Sequence, residues 1–215
     1  MLQQGTVPNA FSWESRKGVG RSGGTASKPM KRDAMENPMK TSIQMLSSAV
    51  AIMTVAAGVA VAQQLTVEIN KVTDAGVGEK IGTVAITEDG NGTAFKVALS
   101  GIPAGKHGFH VHEKGNCAAA KKDAKMEPGG AAGAHYDPDA KKSHKGPQGA
   151  GHKGDLPALT ANATGVNETV VALKLKLSEV QGRALVIHEG GDNYSDSPEN
   201  GGGQGRIACG VVPKG

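Results

Sequence analysis

All seven histidines of this 215-residue chain lie in one stretch, between His107 and His188. His110 and His112 are one residue apart in an apolar run, and because alternate residues of a strand share a face, both imidazoles are expected on the same side. Three further histidines and an aspartate share one long glycine- and lysine-rich segment: His135, His144, His152 and Asp155. If these donors are to meet, the fold must bring this long segment together with the run that carries His110 and His112 and with the later segment that carries His188.

Imidazole-rich surroundings without thiolates favour copper or zinc, and histidines with one carboxylate suit a closed structural zinc site. Six histidines and Asp155 are one donor short of two four-coordinate sites, and one imidazole shared through both ring nitrogens would supply the missing ligand. In the alternative interpretation, His144 and His152 bind no metal and are exposed on a solvated loop rich in lysine: Lys141, Lys142, Lys145 and Lys153. The metal interpretation explains more of the pattern.

Short alternating segments predict an all-β fold. Glycine supplies 32 residues and aromatic residues only 3% of the chain, which is typical of many turns joining short strands. Eight strand-like runs can be delimited: 65–70, 81–87, 93–100, 108–112, 156–161, 168–177, 183–189 and 206–212. Eight short strands predict a barrel or sandwich. Two long loops, 113–155 and 190–205, separate later strands, and loops of that length are usually functional.

The formal charge of +4 does not indicate nucleic-acid binding, because its source is confined to the start of the chain. Residues 1–62 contain 7 Lys and Arg against 3 Asp and Glu, of the 24 and 20 in the whole chain, which leaves 17 of each sign from Gln63 onward. The remaining domain, 63–215, is thus formally neutral.

An apolar stretch ending in Ala60-Val61-Ala62 follows Met39 and Lys40, and predicts a secretory signal peptide at 39–62. A retained membrane anchor is the alternative, since the stretch approaches the roughly 20 residues of a membrane span. Residues 1–38 are polar without apolar periodicity, so we expect them not to fold and interpret them as a start assigned too early or, alternatively, a functional extension.

Cys117 and Cys209 are the only cysteines. An oxidising compartment favours a disulfide between them, whereas the cytosol would favour free thiols.

Five segments resemble the signature segments of Cu,Zn superoxide dismutases. They read GFHVHE at 108–113, GAHYDP at 133–138, GHKGDLP at 151–157, HEGGDNYSD at 188–196 and GRIACGV at 205–211. The similarity spans 64–213 in order, and the short spacing from His112 to Cys117 with the insertion that follows resembles bacterial periplasmic members. The resemblance implies an eight-stranded Greek-key, immunoglobulin-like barrel or sandwich, export to the periplasm, and no stable membrane association after signal cleavage.

The resemblance also implies the roles of individual residues. Copper would be bound by His110, His112, His135 and His188, and zinc by His135, His144, His152 and Asp155. His135 would bridge the metals and act in catalysis by carrying a proton, and Arg206 would be the second catalytic residue. A fixed cation beside copper can bind an anionic substrate. Three further roles follow: Asp192 hydrogen-bonds ligands of both metals, His107 is structural, and Cys117 and Cys209 form an intrachain disulfide.

The implied activity is the dismutation of superoxide to oxygen and hydrogen peroxide. The family's charged guidance loop does not carry over, because residues 190–205 contain no lysine, so any steering must come from Lys114 or from the insertion with Lys121, Lys122 and Lys125. A homodimer is left open. The main alternative function is a periplasmic copper or zinc store or metallochaperone module of the same fold; a cell-envelope adhesion domain would give no reason for seven donors.

Overall fold

The structure, a computed structural model, describes residues 63–215. The predicted signal peptide at 39–62 and the extension at 1–38 lie outside these residues. Among the residues described, no helix is both long enough and apolar enough to cross a membrane.

Strands dominate this part of the chain. They are β1 (Gln64–Thr73), β2 (Gly76–Asp89), β3 (Gly92–Leu99), β4 (Gly105–His107), β5 (Phe109–His112), β6 (Ala120–Lys122), β7 (Lys125–Glu127), β8 (Leu159–Ala161), β9 (Val166–Ala172), β10 (Ala184–His188) and β11 (Arg206–Val211). One helical turn, α1 (Leu177–Val180), and two 3-10 turns, Gly130–Ala132 and Glu199–Gly202, complete the set.

Seven strands form one antiparallel sheet in the order β5-β10-β11-β1-β2-β3-β9. The gap between its edge strands is spanned by a second pairing, β4 with β8. Only Gly108 separates β4 from β5, and a bridge between Asn162 and Gly165 carries β8 into β9. Counting β4 and β5 as one bent strand, the ring has eight members, so the predicted all-β barrel is confirmed. The strand after β3 in space is β9 rather than β4, which is the crossover of a Greek key.

The barrel core is built by alternate residues of each strand. Phe95 on β3 and Phe109 on β5 are fully buried and pack edge to face with ring centroids 5.8 Å apart. On β5, Phe109 and Val111 belong to this core, so His110 and His112 face the opposite way, outside the barrel. Both histidines are nevertheless fully buried. The two long loops must therefore cover this outer face of β5.

A smaller apolar cluster lies outside the barrel and contains the predicted disulfide. It comprises Val72, Cys117, Ala132, Ala184, Val186 and Cys209. The bond between Cys117 and Cys209 is present, which confirms that prediction, and ties the long loop to the middle of β11, whose Cys209 lies opposite Asn70 of β1 and Val186 of β10.

Several predicted strand bounds differ from the structure, and two segments differ in kind. The run 168–177 ends as a strand at Ala172, and Leu177 instead begins α1. Leu175 and Leu177 are both buried, so core packing continues the alternation of a strand into a segment that has left the sheet. The predicted loop 113–155 also contains the β6–β7 hairpin and a 3-10 turn. Those strands of three residues carry no apolar alternation from which they could have been predicted.

Candidate metal centre

Main-chain pairing brings the distant histidines together. His188 ends β10, whose Val186 lies opposite His110 on β5. The long loop returns to β5 through two isolated bridges, His112 with His135 and His110 with Asp155. The positions of these five donors are therefore set by backbone hydrogen bonds within or to a barrel strand, which provides the rigid support that a metal site needs.

Four histidines form the first group, which we call the copper-side group: His110, His112, His135 and His188. Each ring offers a nitrogen, and these nitrogens lie within 4.8 Å of one another. Three nitrogens are buried without any hydrogen-bond partner: His110 Nδ1, His112 Nε2 and His188 Nε2. Buried polar atoms without partners are rare in proteins. Three converging on one point are what a metal ion would satisfy.

The opposite nitrogens of the same three rings are held by other groups. His112 Nδ1 donates to the Gly133 carbonyl at 2.9 Å, and His188 Nδ1 lies 3.3 Å from the Gln204 carbonyl. His110 Nε2 lies 2.7 Å from Asp192 Oδ2. Such contacts fix the tautomer and orientation of a ligating imidazole, so each ring presents its free nitrogen to the centre of the group.

The second group, here the zinc-side group, contains His110, His135, His144 and Asp155 within the same 4.8 Å limit. His135 Nδ1 lies 3.0 Å from Asp155 Oδ1, and His144 Nδ1 lies 3.0 Å from Asp155 Oδ2, the latter without hydrogen-bond geometry. The predicted ligand His152 is beside this group, with an unpartnered Nδ1 3.4 Å from Asp155 Oδ1. His110 and His135 belong to both groups, but Nε2 of His110 is already engaged by Asp192.

Asp192 connects the two groups. Its fully buried carboxylate accepts hydrogen bonds from His110 Nε2 and His144 Nε2, each at 2.7 Å, with one oxygen serving each ring. This is the contact pattern predicted for a residue that orients ligands of two metals. His107, predicted to be structural, is buried with its ring nitrogens 2.7 Å and 2.9 Å from the His188 and Pro103 carbonyls, and belongs to neither group.

Burial keeps the copper-side imidazoles neutral. Desolvation, assisted by the nearby His135, holds the pKa of His110 and that of His112 well below the ordinary histidine value. The same two causes lower the pKa of His188 to about 3. Because the neutral imidazole is the form that binds metal, these rings are ready to act as ligands at neutral pH.

The zinc-side group has the opposite electrostatics. Burial lowers the pKa of His144, but the carboxylates of Asp155 and Asp192 outweigh burial and raise it to about 9. Burial raises the pKa of Asp155, but contacts with His135 and His144 lower it well below the usual range. The carboxylates that favour a proton on His144 would equally favour a divalent cation in place of that proton, so both donor sets fit the metals that their chemistry predicts.

Arg206, the first residue of β11, points into a cleft of about 780 Å³ that His135 and His188 also line. Its guanidinium donates to the carbonyls of Gly129 and Gly133, each at 2.7 Å. Gly133 also accepts the hydrogen bond of His112, so one carbonyl links the cation to a copper-side ring. These glycine carbonyls could not be predicted from the sequence, because every residue type has a main-chain carbonyl.

The rim of this cleft carries part of the lysine-rich insertion. Lys121 and Lys122 of β6 line it, together with Glu127 of β7 and Glu199. Glu127 Oε1 lies 3.9 Å from Arg206 Nε. Lys114, the other predicted steering residue, is exposed and is not among the lining residues; its Nζ lies 3.5 Å from Glu113 Oε1.

Comparison with known proteins gave concordant matches. The family model described as copper/zinc superoxide dismutase (SODC) matches residues 80–212. A superoxide dismutase [Cu-Zn] of Brucella abortus is 52% identical over 156 residues, covering 71% of this chain and 90% of that protein. A solved Cu/Zn superoxide dismutase from Brucella abortus, 52% identical, superposes with a TM-score of 0.68 over 70% of this chain and 99% of that one. The solution structure of the monomeric copper, zinc superoxide dismutase from Salmonella enterica, 48% identical, gives 0.63 over 70% and 99%.

Proposed function

The chain belongs to the copper/zinc superoxide dismutase family, and from this membership we propose that it converts two superoxide anions and two protons into oxygen and hydrogen peroxide. Its cofactors are copper and zinc. One observation carries the assignment to these residues: His110, His112 and His188 each keep a buried nitrogen without a partner, in a group whose His135 and His188 line an open cleft together with Arg206.

We assign copper to the copper-side group and zinc to His135, His144, His152 and Asp155. The unpartnered nitrogens support this division, since those of His144 and His152 are both Nδ1 atoms near Asp155. His135 would serve both sites: its Nδ1 faces Asp155, which leaves Nε2 for the copper side. A ring with both nitrogens engaged by cations is deprotonated, so His135 is the imidazolate bridge of this proposal.

Copper, when bound, supplies a one-electron acceptor and donor. The protein residues bind the anion and deliver protons. Arg206 attracts superoxide, and its two carbonyl contacts keep the guanidinium from turning away. His135 Nε2, in the half of the cycle in which it is released as a copper ligand, would hold a proton there and would give it to the peroxide product in the other half. Asp192 keeps His110 and His144 oriented while His135 changes protonation.

We propose that Lys121 and Lys122 guide the substrate. Positive side chains at the rim of a cleft raise the local concentration of a small anion and speed its capture. The nearby Glu127 and Glu199 limit this field, so the effect of each lysine is modest.

We also propose that 63–215 is the catalytic domain, that 39–62 is a signal peptide and that 1–38 is an unfolded extension or a start assigned too early. The mature protein would lie in the periplasm without a membrane anchor. A family match confined to 80–212 and a disulfide suited to an oxidising compartment support this proposal. A homodimer stays a prediction, which sedimentation velocity tests.

The deciding experiment compares the purified protein, loaded with copper and zinc, with Arg206→Leu, Arg206→Lys and His135→Ala. Bound metal is counted for every variant, and superoxide decay is followed by pulse radiolysis. We expect Arg206→Leu to lower kcat/KM about tenfold, a loss of the order of one charge-assisted contact, and Arg206→Lys to retain more activity. His135→Ala should nearly abolish turnover. Stoichiometric metal binding without activity in the unaltered protein would instead favour the metal store or metallochaperone.

A further inference from the structure

Alternate residues of the segment 192–196, here called the clamp, contact the loop that carries the zinc-side residues. Asp192 Oδ1 accepts from His144 Nε2, and Asp196 Oδ1 accepts from the main-chain amide of His144, each at 2.7 Å. Tyr194 lies between them, and its hydroxyl accepts from the amide of Ala158 at 3.1 Å. His144 is thus held at its ring and at its backbone from the same segment.

Tyr194 reaches two parts of the zinc-side loop at once. Its ring lies against Gly146, where an added Cβ would be only 2.6 Å from Tyr194 Cγ, so the glycine leaves room for the ring. Its hydroxyl contacts Ala158, three residues after Asp155. The stretch that carries His144 and the stretch that follows Asp155 are therefore joined by one side chain.

Tyr194 holds this position in an unfavourable backbone conformation. Its φ is +56°, in the left-handed region that an aromatic residue rarely adopts, and the residue is 40% exposed. A strained, half-exposed aromatic residue gains little from core burial, so its conformation must be held by its contacts. One of them is its own amide, which donates to Asp192 Oδ1 at 2.7 Å.

We propose that Tyr194 and Asp196 are positioning residues that control how long the protein retains zinc, by keeping His144 and Asp155 in place. Neither side chain belongs to the two donor groups, so each acts through the main chain of the loop. The inference rests on the zinc assignment proposed above. An ordinary surface role for both residues predicts no effect on zinc release.

The test measures transfer of zinc from the copper- and zinc-loaded protein to a chromogenic chelator. Removing groups that orient ligands commonly weakens metal binding 10- to 100-fold, so we expect about tenfold faster release for Tyr194→Ala and for Asp196→Ala. Tyr194→Phe keeps the ring against Gly146 and should release zinc only a few times faster, as expected for one lost hydrogen bond. Asp196→Asn retains an acceptor oxygen and should restore slow release.

Asn193→Ala is the matched control. The side chain of Asn193 hydrogen-bonds to Ser197 and Ser195 within its own loop, 190–205, and not to the zinc-side loop. This variant should release zinc at the unaltered rate, and the metal-free unfolding midpoint of Tyr194→Phe should be unchanged. Cobalt(II) placed in the zinc site should show altered visible bands in Tyr194→Ala. Unaltered release from both alanine variants, or equal acceleration by Asn193→Ala, would overturn the inference. An unaltered protein that binds no zinc would overturn the zinc assignment itself.

Discussion

Breaking the disulfide should cost much of the stability of the domain. Cys117 and Cys209 are separated by 92 residues and close a large loop. In the chain-entropy treatment, a loop of that length lowers the entropy of the unfolded chain enough to stabilise the fold by about 4–5 kcal/mol. Typical domains are stable by about 5–15 kcal/mol in total. The double variant Cys117→Ala with Cys209→Ala should therefore be close to unfolding in the absence of metal.

The assay is urea unfolding of the metal-free protein, because bound metal adds its own stabilisation to the folded state. Reduced unaltered protein is the control, since it loses only the covalent bond and keeps both buried sulfurs. A loss below about 1 kcal/mol in both proteins would refute the reasoning and mean that the unfolded chain is not appreciably restricted by the bond. The metal-loaded variant should also lose activity towards the level of Arg206→Leu, because the segment between Cys117 and Gly133 would no longer hold the guanidinium in place.

Three further predictions follow from single contacts. The folded pKa of His188, about 3, lies below its unfolded value of about 6.5. The metal-free protein should therefore lose stability as pH falls between these values, by up to about 1.4 kcal/mol per pH unit from this group. A free energy of unfolding in urea that does not change from pH 6.5 to 4 would contradict this. The double variant Lys121→Gln with Lys122→Gln should lower kcat/KM about two- to tenfold at low ionic strength and make kcat/KM less dependent on salt. A salt dependence identical to that of the unaltered protein would exclude substrate steering by the β6–β7 hairpin. Arg183→Ala removes hydrogen bonds to the Glu113 and Glu179 carbonyls and a cation over the Tyr136 ring. The free energy of unfolding in urea should therefore fall by about 2–3 kcal/mol, and by less in Arg183→Lys. Equal stability of the unaltered protein and both variants would refute that estimate.

The sequence predicted the strands best where apolar residues alternate against a barrel core. On β5, Phe109 and Val111 face inward and His110 and His112 outward, as a period of two requires. Prediction failed where residues are buried in the alternating pattern of a strand although the backbone has left the sheet. Leu175 and Leu177 are buried as a strand pattern would have them, yet the chain turns there into α1.

The sequence identified the candidate donors, because histidine and aspartate are informative residue types and their spacing is distinctive. Both donor groups consist of candidate donors from the sequence, but the zinc-side group contains His110 where His152 was expected, and His152 lies at its edge. The alternation of short strands predicted the fold class, and the resemblance implied the disulfide that the structure contains.

Only the tertiary structure decided which nitrogen of each ring is free and what holds the other one. The carbonyl of Gly133 serves both His112 and Arg206, and Tyr194 spans two stretches of loop that are far apart in sequence. Main-chain carbonyls and amides are common to all residues, so they leave no mark in a sequence. Their partners are set by register and loop path, which depend on the packing of the whole barrel.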